Sequence, residues 1–414
     1  RVRSSAASDV YKRQRINGIR DFIINLLSDS VIWIKDELMK KILFIIGSLR
    51  GGGAEKALVE LLAHFDYTRF DVTLCVVFYG GVYMEQIPAS VKVIYLFEEK
   101  SGYWRESLQR KAFRYYTKYN STWLMRQIIL YKTKWRKFDT IVSYLEGIPL
   151  VLNNLIRGQA KKNISWIHCD LYNYHWTNDV FFLPGYEATC YANMDELVFV
   201  SKNSLESFNK LYNISIPKHC IYNIIDVGKI NEIAAKKEIP HQNFTIIAVG
   251  TLNKVKSFDR LIRLARRFKD DGYNLTFQIL GTGPDMDKLL ELCNTLGVSD
   301  CVTFLGFKSP SYSYIAAADV LVSTSLSEGL PFVICEALAL GIPVVATKTA
   351  GSIELLDNGR YGMLTEQNDE SIYENLKEVI DNQSLRDELK LKSKERALGF
   401  DVRQTMERIY ELIE

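Results

Sequence analysis

The sequence has no excess of either charge, no paired-cysteine spacing and no internal repeat, and each absence narrows what it can encode. Lys and Arg total 52 against 49 Asp and Glu, a formal net charge of +3, so the chain as a whole has no electrostatic pull toward nucleic acid. Its seven cysteines (Cys75, Cys169, Cys190, Cys220, Cys293, Cys301, Cys335) show neither CxxC nor Cys/His ligand spacing. That argues against a zinc module or a disulfide framework. Several sit inside apolar runs, such as Cys75 in VTLCVVF and Cys335 in PFVICEALAL, and read as buried thiols of a reducing compartment. The Asn-x-Thr triplets at Asn243 and Asn274 then carry no glycosylation meaning. The early segment RINGIRDFIINLLSDSVIWIKDEL is interrupted by Asp21, Asp29 and Lys35. A membrane span needs about 20 predominantly apolar residues, and this stretch does not supply them.

What is present is a long alternation of strands and helices. Ser4–Gln14, SSAASDVYKRQ, resembles the in-frame translation of a sequencing adapter, and Met39-Lys40-Lys41 before ILFIIGSLRGGG reads as a natural start. Residues 1–38 are therefore set aside. Short apolar runs follow at 42–46, 72–78, 91–97, 140–145, 164–167 and 196–201, and a second series at 244–250, 275–281, 302–306, 319–325 and 343–347. Runs apolar on both faces suit buried parallel strands, with crossover helices between them. A chain of 414 residues is long for one core. Two successive βα series predict two doubly wound Rossmann-like domains, an α/β class, rather than a barrel. The expected organisation is a first domain over 39–225, a linker at 226–243, a second domain over 244–395, and a C-terminal helix at 396–414 that packs back on the first domain.

Three segments carry chemical information. Gly51-Gly52-Gly53-Ala54-Glu55 follows the first strand and opens a helix, where backbone amides approach an anion closely. A plain tight turn is the other reading, since GxGxxG is absent. In the second domain, DVLVSTS leads through Leu326-Ser327-Glu328-Gly329-Leu330-Pro331 into FVICEALALG. Pro331 fits the first helical position and Gly341 the stop. Glu336 is the lone charge on that apolar helix and needs hydrogen-bond donors, such as a pair of ribose hydroxyls or a core Lys or Arg. Glu328, in the loop before the helix, lies within reach of the same ligand. The third segment, Val249-Gly250-Thr251-Leu252-Asn253-Lys254-Val255-Lys256, sets lysines beside a strand end, where they can neutralise a diphosphate or simply face solvent.

Together these residues resemble glycosyltransferase family 4, over about Lys41 to Leu364. The family's E-x7-E pair is met as Glu328-GLPFVIC-Glu336, with a GGAE loop before it and a G-x-L-x3-K element opening the second domain. The resemblance implies a GT-B architecture, two Rossmann-like domains facing a central cleft, and retaining transfer of a sugar from a nucleotide diphosphate sugar, expected to be a UDP-sugar. It implies that Glu336 binds the ribose and Glu328 the transferred sugar. Amides of Gly329, Leu330 and Pro331–Phe332 face sugar and phosphates, and Lys256 binds the diphosphate under a closing Gly51–Gly53 loop. Phe307 and Lys308 occupy the base-reading region, and His168 stands beside the sugar, making His168, Glu328 and Lys256 the expected catalytic set. Thr251 departs from the family's frequent Arg, which shifts diphosphate binding onto Lys256 with Lys254 as a stand-in.

No DxD-like motif stands at a strand end, so no metal or other cofactor is expected. Tyr103–Phe138 is basic and aromatic, and Arg110, Lys111 and Arg114 in it suit either an anionic membrane surface or a solvated helix pair with snorkelling side chains. The resemblance implies a saccharide or lipid-linked acceptor in cell-surface polysaccharide synthesis, without nucleic acid. The expected location is cytoplasmic, peripheral on the inner face of the plasma membrane. A GT-B nucleotide-sugar epimerase and a catalytically silent nucleotide-sugar-binding subunit are the rival readings.

Overall fold

A computed structural model describes residues 39–97, 122–181, 183–240 and 243–414. Residues 1–38 and most of the basic-aromatic stretch, including Arg110, Lys111 and Arg114, lie outside the described residues.

Seven strands form the first sheet: β1 (Lys40–Ile46), β2 (Phe70–Phe78), β3 (Lys92–Phe97), β4 (Phe138–Ser143), β5 (Ala160–Ile167), β6 (Glu196–Phe199) and β7 (Lys218–Cys220). Their order is β3-β2-β1-β4-β5-β6-β7, parallel throughout. The second sheet holds β8 (Phe244–Val249), β9 (Leu275–Leu280), β10 (Val302–Gly306), β11 (Val320–Ser323), β12 (Val344–Thr347) and β13 (Met363–Thr365). It is also parallel, in the order β10-β9-β8-β11-β12-β13. Both are doubly wound, as the two βα series predict.

The continuous apolar runs have a direct cause in this layout. In β1 the fully buried Ile42, Phe44 and Ile46 enter one core, while Leu43 and Ile45 enter the core on the opposite face. A strand covered by helices on both sides has no solvent face to fill with polar residues. In each sheet the strand order reverses beside the first strand, between β1 and β4 and between β8 and β11. Crevices outside the carboxyl ends of strands at such switch points are where open α/β sheets bind ligands.

The helices that position the site are α1 (Gly53–Ala63), α2 (Val227–Ala235), α3 (Phe258–Asp270), α4 (Tyr312–Ala316), α5 (Phe332–Leu340), α6 (Ala350–Leu355) and α7 (Val402–Ile413). Much of the low-apolarity stretch 226–243 is helical: Asp226 caps α2, its Oδ1 accepting from Lys229 N at 2.9 Å. This helix packs on α4 and α5 of the second domain. It also reaches the first, through Lys229 Nζ to Glu60 Oε2 at 2.9 Å. Helix α7 crosses back to the first sheet. Tyr410 stacks on Phe70 at 5.3 Å, and Thr140 Oγ1 donates to Ile413 O at 2.8 Å.

Candidate active site

The site forms where the two switch points face each other. On the second-domain side, the loop after β8 and the loop after β11 are tied together: Leu326 N donates to Val255 O at 2.8 Å, and Thr324 Oγ1 donates to Lys256 O at 2.8 Å. Ser257, buried and in the left-handed region at φ 49°, also receives Thr324 Oγ1 at its carbonyl, at 3.0 Å. A serine held there by its neighbours fixes the direction of the preceding lysine. Lys256 Nζ forms a close ion pair with Glu328, whose Oε1 also accepts from Ser325 Oγ at 2.7 Å. Two of the expected catalytic residues thus meet directly. Thr251, Lys254 and Lys308 are exposed, and Lys308 Nζ lies 6.0 Å from the Tyr314 ring centre.

Helix α5 starts at Phe332. Pro331 is its N-cap, in extended conformation (φ −72°, ψ 111°), rather than the first helical residue expected from the sequence. Proline's fixed φ suits either place, and its missing N–H removes no bond at the cap. Gly341 ends the helix at φ 70°. The helix is apolar on all sides, and Glu336 is buried within it. Its carboxylate is fully engaged by protein. Oε1 takes a close ion pair from Lys56 of α1, across the cleft, and Oε2 accepts from Ser311 Oγ at 3.0 Å. The core-lysine partner is therefore the one found here, supplied by the other domain.

On the first-domain side, His168 directly follows β5. Its ring is buried against Tyr144 at 4.9 Å, and its Nε2 has no hydrogen-bond partner among the described residues. Burial pushes its pKa down to about 3, so the imidazole is neutral near pH 7. Its backbone N donates at 3.0 Å to Glu146 Oε2, a fully buried carboxylate at the end of β4 whose Oε1 accepts from Trp176 Nε1 at 3.0 Å. Burial, then the charge of Glu146, pushes the neighbouring Cys169 thiol up, with Glu328 adding to it.

Two contacts close the cleft. Gly329 meets the His168–Cys169 backbone so tightly that a Cβ there would lie 1.9 Å from His168 O. Gly51 (φ 130°) meets the Phe307 ring, 3.3 Å from where its own Cβ would be. So His168, Glu328, Gly329 and Lys256 come together at one point, Gly51 and Phe307 at a second, and Glu336 with Lys56 at a third, with buried Leu330 and Pro331 between the first and the third. The glycine-rich loop serves its own helix: Gly51 N and Gly52 N donate to Glu55 Oε2 at 2.6 and 2.9 Å. Sequence reasoning did not single out Lys56 or Glu146, and it gave Glu55 no role beyond its place in the GGAE loop. Among the described residues no group of three or more His, Cys, Asp or Glu is placed to hold a metal, and no helix is long and apolar enough to cross a membrane.

This architecture has close counterparts among solved structures. Anabaena Alr3699/HepE in complex with UDP superposes with a TM-score of 0.67 at 20% identity, over 90% of this chain and 99% of that one. WaaG, a glycosyltransferase involved in lipopolysaccharide biosynthesis, superposes with a TM-score of 0.67 at 17% identity, over 90% and 99%. The fold is GT-B. Within this GT-B chain, residues 229–396 match the family model described as glycosyl transferases group 1. The chain is 35% identical over 215 residues to the N-acetylgalactosamine-N,N'-diacetylbacillosaminyl-diphospho-undecaprenol 4-alpha-N-acetylgalactosaminyltransferase of Campylobacter jejuni. That match covers 51% of this chain and 58% of the relative. An uncharacterized glycosyltransferase of Haemophilus influenzae is 26% identical over 64% of this chain and 70% of its own length.

Proposed function

We propose that this chain is a retaining glycosyltransferase of the family 4 type, moving a sugar from a UDP-sugar to a lipid-linked or saccharide acceptor in cell-surface polysaccharide synthesis. The observation that carries the reading is the convergence of Lys256, Glu328 and His168 where the two domains touch at Gly329. A cation for the diphosphate and a carboxylate for sugar hydroxyls pair there, against the backbone of a residue whose buried imidazole is neutral. Relatives point the same way: the C. jejuni enzyme acts on a diphospho-undecaprenol saccharide, and HepE has been solved with UDP-glucose.

In this reading the bond between the anomeric carbon and the diphosphate oxygen breaks as the acceptor oxygen bonds to the same face. The acceptor proton passes to the leaving phosphate. Lys256 and the N-terminus of α5 offset the charge that develops on the diphosphate. A neutral His168 can accept or donate a hydrogen bond at a sugar hydroxyl without adding charge. In the described part of the basic-aromatic stretch, Trp123, Tyr131 and Trp135 are 69%, 75% and 56% exposed, and such aromatics near lysines support docking at an anionic bilayer. Incubation with radiolabelled UDP-sugars and a polyprenyl-diphosphate saccharide tests the proposal. Labelled acceptor with the anomeric configuration kept is expected; epimerised donor, or donor bound but unaltered, refutes it.

A further inference from the structure

Lys56 lies 280 residues from Glu336 in sequence and on the other domain, yet the two side chains form a largely buried ion pair, with the carboxylate the deeper partner. Nothing in the sequence motif requires it, because the donor-site reading asks Glu336 for free carboxylate oxygens. The structure instead gives both to protein groups, Oε1 to Lys56 and Oε2 to Ser311. The lysine is well held. Its Nζ lies 4.8 Å from the centre of the Tyr312 ring and 5.8 Å from that of Phe332. Burial is the largest influence and would pull its pKa down, but the charge and hydrogen bond of Glu336, together with Tyr312 and Tyr83, outweigh it and hold the ammonium above its ordinary value. Glu60 and Lys229 join these groups in lining the pocket at this end of the cleft.

A carboxylate oxygen has room for two donors, but Oε1 is already held by Lys56 with the Tyr312 and Phe332 rings beside it, so a ribose diol arriving there competes with the ammonium. We propose that Lys56 is a residue of the donor site, the exchangeable counter-ion that the donor's ribose displaces from Glu336. The inference rests on the donor-site reading of Glu336 and adds to it a competitor from the opposite domain. Binding the ribose then costs the Lys56–Glu336 pair, and the domain contact that this pair makes is given up at the same moment. A lysine that instead gripped the diphosphate would act with the opposite sign. That difference makes the two roles separable by affinity alone.

The test is calorimetric titration of uridine and of UDP, at one fixed pH, into wild type, Glu336→Ala, Lys56→Met and Lys56→Gln. Lys56→Gln keeps a hydrogen-bond donor for Glu336, so it guards against a misfolded Met variant, and thermal melts check both. Exchange predicts that both Lys56 variants bind uridine and UDP about tenfold more tightly, by the same factor for each ligand, because the competition is at the ribose. Glu336→Ala should lose affinity for both. If Glu336→Ala weakens binding while the Lys56 variants bind as wild type or more weakly, exchange is overturned and the donor site stands. Selective loss of UDP affinity in the Lys56 variants also overturns it, in favour of a phosphate contact. Equal or absent binding in all four proteins overturns the donor-site reading and the exchange together.

Discussion

Replacing Gly329 by alanine puts a methyl group where the two domains touch. Its Cβ would stand 1.9 Å from His168 O, 2.7 Å from His168 C and 3.2 Å from Cys169 Cα. Relaxed contacts of this kind lie at about 3.5 Å, so the two backbones must separate by more than about 1 Å. All three obstacles are main-chain atoms, and no rotamer change moves them. The two sides belong to different domains, however, so the clash is relieved by opening the cleft rather than by disturbing either core. Overpacking inside a core costs about 1–3 kcal/mol, and the opened variant should lose less than that in stability. Catalysis has no such escape. A displacement of about 1 Å between His168 and the Glu328–Lys256 pair should lower transfer roughly 100-fold. Steady-state transfer alongside thermal melting measures both, and small-angle scattering should report a larger radius of gyration. A Gly329→Ala protein that turns over like wild type would show that this contact is no part of the active arrangement, and the proposed convergence at His168 would fall with it.

Three further outcomes are expected. Because the folded-state pKa of His168 lies near 3, below the ordinary 6.5, the unfolded chain takes up this proton first. Its contribution is complete above about pH 6.5 and is lost as the pH falls toward 3, with a slope up to about 1.4 kcal/mol per unit; denaturation of His168→Gln across that window should show a flatter dependence, and an unchanged slope refutes the assignment. Lys256→Ala should weaken UDP binding by at least about tenfold while sparing uridine, since only the diphosphate loses its cation; equal affinities for UDP before and after would place the phosphates elsewhere. Neutralising Arg110, Lys111 and Arg114 together should reduce co-sedimentation with anionic liposomes at low salt, each charge being worth about 1 kcal/mol, without altering donor hydrolysis in solution. Equal sedimentation would remove the membrane surface from the proposal.

The parallel sheets were legible because their strands are covered on both faces, so that Ile42–Ile46 or Val344–Val345 read as unbroken apolar runs. The two strands that escaped, β7 and β13, are three-residue edge strands, Lys218–Cys220 and Met363–Thr365, half-buried except for the buried Thr365, and carry no such run. The carboxylates Glu328 and Glu336 were legible through their spacing and through the cost of one charge on an apolar helix. Their partners were less so. Lys56 reads as an ordinary lysine on an amphipathic helix, and only the folding of one domain against the other brings it to Glu336. Glu146 follows β4 as any loop acid would; its burial depends on Trp176 and the His168 amide, both from later in the chain. The Gly329 contact is a property of two backbones, for which a single sequence offers no periodicity and no charge to notice.

The two carboxylates of the E-x7-E spacing differ in what sustains them. Glu328 has its counter-ion within its own domain, Lys256, on a loop bonded to the one that carries Glu328. That pair survives any parting of the domains. Glu336 has its counter-ion in the other domain, and parting the domains must break the pair. With the domains parted Glu336 keeps the Ser311 hydroxyl but has lost its counter-ion, a cost that contact with α1 removes. Opening therefore acts on one carboxylate and spares the other, uncovering Glu336 to water and ligand while Glu328 keeps its place. Closing restores Lys56 to Glu336 unless something richer in hydroxyl donors has taken the position. The same reasoning applies to the glycine-rich loop, where the Glu55 carboxylate takes the amides of Gly51 and Gly52 that an incoming anion would otherwise use. A charged or hydrogen-bonding group at this cleft is thus met by protein groups of matching chemistry already in place, and affinity there is a difference between two satisfied states rather than the filling of an unsatisfied one.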